Sequence, residues 1–499
     1  MNHKSLTTTI QKIFIILLLL VPYLSFSQQT DSTHLDQFIA KQVADYKIPG
    51  LAIGIIKNNK VIFKKGYGVT STAKGFPVNT QTIFPISSCT KAFTAAALGI
   101  LVDDGKINWD DKVIKYLPDF KLSDPWITKE VTITDILSHR SGLKTFDGDL
   151  LWYGTKNTRQ DIARLIRYSP IRTNFRTDFA YQNIMYLVAG LVVESVTGKT
   201  WDEFLKERIF NPLKMTGTAT NRDSITSESN FALPHIQNKP IKPLNMYNIS
   251  PAGGVDSNID DMLIWMQMLL AHGRIDDTTI LADGTINTLT SVKTLFSINK
   301  DDGYGLGWYI KHTKNGKVIN HNGGMPGYIS SVVLLPDSSS GIVILTNKIS
   351  QINDELVKAI TGYMTRNNTF DWKEADKEMS GKNTVFDWDK KRKPQPKKSA
   401  SIPNFSRYEG EYEDIAYGKA VIRREKGKPF LELLPTKELF SGFLHHIDAD
   451  HCKIIFNDPF VPEGEVIFIR DTEKKITGFK LNIDSNDFLF DDLEFDKIP

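Results

Sequence analysis

Apolar residues recur along this chain in two rhythms, and the change of rhythm divides it. Residues 38–48, "FIAKQVADYKI", carry apolar positions at helical spacing. Residues 50–69, "GLAIGIIKNNKVIFKKGYGV", read as a β-hairpin, two apolar runs around Lys57-Asn58-Asn59-Lys60. Residues 88–104, "SCTKAFTAAALGILVDD", predict a buried Ala-rich helix that stops at Gly105 and holds Ser88 in its first turn. The segments 184–198 and 259–273 predict two more apolar helices, each ending at Gly. Strand signals return at 304–310, 316–323, 328–337 and 341–348, and a closing helix is expected over 353–365. The order is helix and strands, a helical insert, then strands and a helix. It predicts an α+β domain whose sheet combines N- and C-terminal segments.

The pattern then shifts. Residues 373–403 are polar, and "KKRKPQPKKSASIP" within them combines Pro, Ser and basic residues, so 366–404 is expected to be a solvated linker. From Phe405 short alternating strands follow, with turns every 10–15 residues or so and no helical signal. Residues 405–499 therefore predict a small all-β barrel or sandwich that folds separately and carries no catalytic residue. "HHIDADH" at 445–451 is the one histidine cluster and reads as a solvated loop.

Composition narrows the classes. The 499 residues allow two or more domains, and 41% hydrophobic with 24% charged residues is ordinary for a globular protein. A net charge of +3 gives no reason to expect a nucleic-acid partner. At the N-terminus, "IFIILLLLVPYLSF" follows a few positive charges and precedes "SFS", the pattern of a signal peptide over 1–27; it is short for the roughly 20 residues of a membrane-spanning helix. No later segment is apolar enough to span a membrane. Cys89 and Cys452 lie far apart and are expected to stay unbridged in separate domains, and two cysteines cannot build a cysteine-based zinc site. No metal or cofactor is expected.

Candidate chemistry begins with Ser-x-x-Lys, which occurs four times: Ser71/Lys74, Ser88/Lys91, Ser141/Lys144 and Ser297/Lys300. A serine hydroxyl needs a nearby base, and residues three apart on a helix share a face. Of the four, Ser88 and Lys91 alone open an apolar helix, where burial lowers a lysine's pKa and the helix N-terminus favours negative charge. Two rarer patterns follow: Tyr-x-Asn, once among sixteen tyrosines, at Tyr181-Gln182-Asn183, and His-x-Gly, once among ten histidines, at His321-Asn322-Gly323 on a predicted strand. Tyr181 can exchange a proton with Ser88, Asn183 can orient Lys91 and a substrate carbonyl, and Gly323 and Gly324 would let a substrate's backbone approach the strand. Cys89 is rotated about 100° from Ser88 and reads as core filler, and His139 as a residue that shapes its loop.

Ser88-x-x-Lys91, Tyr181-x-Asn183 and His321-x-Gly323, in that order, resemble the serine β-lactamase and penicillin-binding protein superfamily, and the Tyr-x-Asn form is similar to class C β-lactamases, D-alanyl-D-alanine peptidases and related esterases. "LSHRSGL" (137–143), "PAGGVDSNIDDM" (251–262), "YGLGW" (304–308) and "HNGGMPGY" (321–328) add to the likeness, which covers 32–365. The segment 405–499 resembles the lipocalin-like β domain that often follows such hydrolases. The resemblance implies Ser88 as acyl-enzyme nucleophile, Lys91 and Tyr181 sharing the acid/base work with the proton's holder open, and Asn183 as a positioning group. It places His321 where the Lys-Thr-Gly form has lysine and gives the backbone N–H groups of Ser88 and Gly324 as oxyanion hole.

The expected function is that of an exported, cofactor-free serine hydrolase acting on an amide or ester: a D-amino-acid peptide such as a cell-wall peptide, a β-lactam or a small ester. The alternatives are a dedicated class C-type β-lactamase and a catalytically idle protein that binds cell-wall peptide. At His321 an unperturbed imidazole, neutral at pH 7 and protonated toward pH 6, would serve a substrate carboxylate less well than lysine does. Natural substrate and oligomeric state are not legible. Export implies cleavage near Ser27–Gln28 and a periplasmic or secreted protein. Mass spectrometry of the exported chain is expected to find a mature N-terminus close to Gln28; an intact Met1 in the membrane fraction would make the segment an anchor.

Overall fold

The computed structural model of the chain describes residues 32–220, 230–297, 301–366, 370–380, 402 and 404–499. The signal segment 1–27, the basic run 390–398 and Lys300 lie outside the described residues. The chain divides into two compact units, one from 1–48 with 350–384 and one from 49–349 with 385–499.

The first unit is helical. A helix over 32–45 carries Phe38, whose ring lies 5.1 Å from that of Trp372 on the helix Trp372–Met379. Trp372 also meets Tyr363 of the helix Ile352–Arg366 at 5.0 Å. Lys41 pairs with Asp376 at 2.8 Å, and the Tyr46 hydroxyl donates to the Met379 carbonyl at 3.2 Å. The segment expected as linker thus contains a helix. Its single apolar stripe is too short to stand out from the polar run in sequence, yet it is long enough to fold on two partners.

In the second unit the expected hairpin forms as β1 (Gly50–Lys57) and β2 (Lys60–Gly68). It joins C-terminal strands in an eight-stranded antiparallel sheet, because β1 pairs with the strand Ser340–Thr346, Leu51 facing Thr346 and Ile55 facing Ile342. Beyond it come Tyr328–Leu335, Gly316–Met325, Tyr309–Thr313 and two short strands, Gly303–Tyr304 and Thr294–Leu295. The "YGLGW" segment therefore turns between two strands, with Gly307 at φ 83°. The helices between the sheet's halves start where the sequence caps them. Thr132 with Asp135, Thr158 with Asp161 and Thr200 with Glu203 each form a reciprocal capping box. Ser88 sits in a 3₁₀ turn, Ser87–Cys89, that runs into the α-helix Thr90–Asp103. That helix is buried on nearly every side, which its Ala-rich sequence permits.

Residues 410–497 close into an eight-stranded antiparallel barrel. The long run at 419–435 breaks into a hairpin at Lys426 and Gly427, both with positive φ, and "HHIDADH" is the turn and flanks of another hairpin. His445 is buried there, so the cluster is not a solvated loop. Cys89 and Cys452 are buried and unbridged, one in each part.

The barrel does not stand apart from the sheet and helices of this unit. Tyr153 reaches it: its ring stacks on Phe440 at 5.8 Å and meets Phe488 at 4.5 Å, and its hydroxyl donates to the buried Asp458 at 2.8 Å. Arg172 pairs with Asp492. An aromatic contact built around a buried hydrogen bond is fixed in register, since a shift would break the bond from Tyr153 to Asp458. Tyr153→Phe is expected to destabilise the protein by about 1–3 kcal/mol by removing that buried hydrogen bond to a carboxylate, read as a lower midpoint in chemical denaturation; an unchanged midpoint would show that the contact does not stabilise the fold.

Candidate active site

The turn that carries Ser88 is held by three hydrogen bonds. The Ile86 amide donates to the Val255 carbonyl, the Thr90 hydroxyl accepts from the Val255 amide at 3.0 Å, and the Ser330 hydroxyl donates to the Ile86 carbonyl at 2.6 Å. Ser87 takes a left-handed φ of 47° there, unusual for a residue with a Cβ and the sign of a turn held by its surroundings. Ser88 is left partly exposed at the rim of a cleft.

Lys91, one turn on, is completely buried. Its amine lies 3.4 Å from Ser88 Oγ, 2.7 Å from Asn183 Oδ1 and 2.9 Å from the Ala252 carbonyl. Burial brings its pKa down to about 7, with Asp149 opposing part of the drop. An amine with that pKa can both accept and return a proton at neutral pH. Neither Ser71/Lys74 nor Ser141/Lys144 has this arrangement: the Ser71 hydroxyl accepts from Ala73 in a turn and that of Ser141 donates to Gln182; of the pair Ser297/Lys300, Lys300 lies outside the described residues.

Tyr181 precedes the helix Asn183–Thr197. Its ring lies 4.7 Å from the Lys91 amine, and its hydroxyl faces Ser88. Burial holds its pKa well above the ordinary value, with the Ser88 contact working against the rise, so it is a phenol. The segment 180–183 is clamped by the "LSHRSGL" loop. The His139 carbonyl accepts from Ala180, His139 Nδ1 accepts from Gln182, and the Gln182 side chain donates to the Leu143 carbonyl. His139 therefore shapes this junction, its ring 4.3 Å from that of Tyr181.

Two further side chains belong to the site. Asp149 is buried and accepts from Asn183 Nδ2 at 2.7 Å and from Trp152 Nε1 at 2.9 Å, which orients the Asn183 amide so that its oxygen faces Lys91. Burial raises its pKa to about 7. Tyr304 donates to His321 Nε2 at 2.9 Å. Neither was found from sequence. Asp149 lies in a segment with no periodic signal, and Tyr304 in one read as strand and as part of the "YGLGW" likeness, with no role given to it.

His321 and Gly323 stand on the strand Gly316–Met325, but not in the roles expected of them. The Asn322 carbonyl can only accept, so His321 Nδ1–H donates to it at 2.7 Å and Nε2 accepts from Tyr304. Neither nitrogen is left to donate to a substrate. Burial, with Lys91 nearby, brings the pKa down to about 3, so the imidazole does not charge toward pH 6. The Gly323 Cα faces inward. A Cβ there would lie 2.2 Å from the Ile86 carbonyl, 2.3 Å from Ser330 Oγ and 2.9 Å from Ser88 N. It is the nucleophile turn, not a substrate backbone, that needs the missing side chain. Gly324 faces the cleft, with only Ile329 Cδ1 near, at 3.5 Å. Cys89 fills the contact beneath, its Sγ 3.2 Å from the His321 carbonyl.

The cleft has a volume of about 790 Å³. Ser88, Tyr181, Asn183, His321 and Gly324 line it on one side; Trp152, Tyr153 and Met246 line it as well, together with Phe460, Asp487 and Phe488 of the barrel. Among the described residues no group of three or more His, Cys, Asp or Glu could hold a metal ion, and no helix is long and apolar enough to cross a membrane.

The Beta-lactamase family model matches residues 35–360. The unguisins hydrolase ungD' of Aspergillus campestris is 30% identical over 332 residues, 62% of this chain and 60% of that protein. Protein flp of Staphylococcus aureus is 27% identical over 328 residues, 65% of this chain and 64% of that protein. The chain thus spans less than two thirds of the length of these curated relatives. The octameric penicillin-binding protein homologue from Pyrococcus abyssi superposes with a TM-score of 0.60 at 22% identity, covering 94% of this chain and 100% of that one, a likeness of fold.

The close approach of strand and turn separates the two glycines. Gly323→Ala is expected to displace the nucleophile turn and lower the rate of covalent labelling at Ser88 by about 10²-fold, the scale of a 1 Å misplacement. Gly324→Ala should stay within a few-fold of the parent. Equal effects from the two substitutions would contradict this packing.

Proposed function

The chain belongs to the Beta-lactamase family, and from that premise we propose that it is an exported serine hydrolase, periplasmic or secreted, that cleaves an amide or ester through an acyl-enzyme on Ser88. The observation that carries this reading is the wholly buried Lys91, whose amine is shared between Ser88 Oγ, Asn183 Oδ1 and the Ala252 carbonyl. A buried amine with a pKa brought down to about 7 is a base at neutral pH, whereas the Tyr181 phenol is held well above its ordinary pKa. The general base is therefore Lys91. It takes the Ser88 proton as Oγ bonds to the substrate carbonyl carbon. The backbone N–H groups of Ser88 and Gly324 receive the oxyanion. As the C–N or C–O bond breaks, the proton passes to the leaving group by way of Tyr181. Water then attacks the acyl carbon, Lys91 accepts its proton, and Ser88 is released with its own proton restored.

The name of the Aspergillus relative, a hydrolase, supports the reaction class, and that of the Pyrococcus neighbour supports the acyl-accepting fold. A dedicated β-lactamase is less well supported. β-Lactams carry a carboxylate, and among the described residues no Lys or Arg lines the cleft while His321 stays neutral. Neutral esters and amides suit this cleft better.

Ser88→Ala is expected to abolish covalent labelling by a fluorophosphonate and all turnover, and Lys91→Met to cost about 10²–10⁴-fold; a labelled Ser88→Ala protein would sink the assignment. With Lys91 as base, kcat/KM for a neutral ester should rise with pH through about 7 and then level off. Asp149 raises the Lys91 pKa, so Asp149→Asn should move that rising limb to lower pH. A limb that moves to higher pH, or a flat profile, would show that Lys91 is not the titrating base.

A further inference from the structure

The barrel's last loop, residues 483–489, lies between the strands Ile476–Asn482 and Glu494–Lys497. Phe488 anchors it, buried 4.5 Å from the Tyr153 ring and 6.1 Å from that of Phe440. The residue before it, Asp487, is thereby set in the wall of the catalytic cleft. Its surface is open to the cleft, yet the surrounding protein raises its pKa by removing water. Its charge also pushes up the pKa values of Asp149 and Tyr153, which line the same cleft.

The charge in this cleft is unbalanced. Its two lining carboxylates are Asp149 and Asp487, and among the described residues no Lys or Arg lines it. Asp149 is occupied, since both of its oxygens accept hydrogen bonds from Trp152 and Asn183. The Asp487 carboxylate has no hydrogen-bond or ion-pair partner among the described residues. A carboxylate exposed to the cleft and not engaged by the protein is available to a cation that arrives with a ligand. Trp152, Tyr153 and Phe488 line the same cleft and offer ring faces, which attract an ammonium group. Met246, Met325 and Ile329 supply apolar surface in the same cleft.

Resting on the serine hydrolase reading above, the geometry points to Asp487 as a specificity-determining residue that the barrel contributes to the active site, one that selects substrates bearing a free, protonated amine beside an apolar group. The substrate class is an amide or ester of an amino compound such as an aminoacyl amide or a peptide with an uncapped amino end. Substrates capped at nitrogen bind without this contact, and anionic ones are repelled.

Three p-nitroanilides test this: alanyl with a free amine, N-acetylalanyl and N-succinylalanyl, each in both alanine configurations. In the full-length protein kcat/KM for the free amine is expected to exceed that for the N-acetyl compound by roughly 10- to 100-fold, the range of a charge-assisted hydrogen bond. Asp487→Asn should bring that ratio to within a few-fold of one, and Asp487→Lys should turn the preference toward the N-succinyl compound. A parent protein that prefers the acetylated substrate, or a ratio unmoved by Asp487→Asn, overturns the proposal. Fluorophosphonate labelling of Ser88 is the separate readout. Labelling without discrimination removes the role of Asp487 alone, and a parent protein that neither labels nor turns over loses the hydrolase reading with it. If Ser88 labels but no anilide is cleaved, protection of Ser88 by alanine amide against N-acetylalanine amide supplies the same ratio, and a value near one in the parent protein overturns the proposal.

Discussion

Burying an ammonium group in a protein is costly unless every donor finds an acceptor, and Lys91 is the place where this fold meets that cost. Its amine reaches Ser88 Oγ, Asn183 Oδ1 and the Ala252 carbonyl, which belong to three separate segments. Each acceptor must therefore be delivered accurately. The helix Thr90–Asp103 sets the first, and the start of Asn183–Thr197 sets the second, with Asp149 turning the amide the right way round. The "PAGG" segment sets the third, held by the Thr94 hydroxyl donating to the Pro251 carbonyl at 2.6 Å. The same desolvation that makes the site demanding brings the lysine's pKa into the range where it can work as a base.

The strand Gly316–Met325 adds a second constraint, which is steric. It passes so close to the nucleophile turn that Gly323 has no room for a Cβ, and Ser330 on the adjoining strand ties the turn to it. His321 is absorbed into that packing. With both nitrogens engaged and its charge suppressed by burial, it positions Tyr304 and the strand and offers no cation to a substrate. The cleft is then defined by what its described lining lacks, a positive side chain, as much as by what is present.

The barrel contributes part of the cleft lining. Its attachment through Tyr153, Phe440, Phe488 and Asp458 is aromatic, with one buried hydrogen bond setting the register. A docked wall of this kind holds Phe460, Asp487 and Phe488 at the cleft while the catalytic groups stay on the frame of helix and sheet. On the proposed reading, chemistry and selectivity belong to different parts of one unit, and loops of the barrel can vary without disturbing Lys91.

Whatever depends on neighbours in sequence was legible from sequence. Ser88 and Lys91 are three apart at the start of an apolar helix, the hairpin 50–69 and the helix stops at Gly105 and Gly198 follow from local chemistry, and alternation over 405–499 announced a barrel. The α+β order with a sheet drawn from both ends of the domain was equally readable. Asp149, Tyr304 and the cleft position of Asp487 were not, because each depends on segments distant in sequence that only the fold brings together. The state of His321 was misread for the same reason: a residue type carries an ordinary pKa and free donors, but only burial and the positions of Tyr304 and the Asn322 carbonyl decide whether either survives. The helix Trp372–Met379 and the split of the barrel's long run show the limit from the other side, since short elements take their stability from tertiary packing rather than from their own pattern.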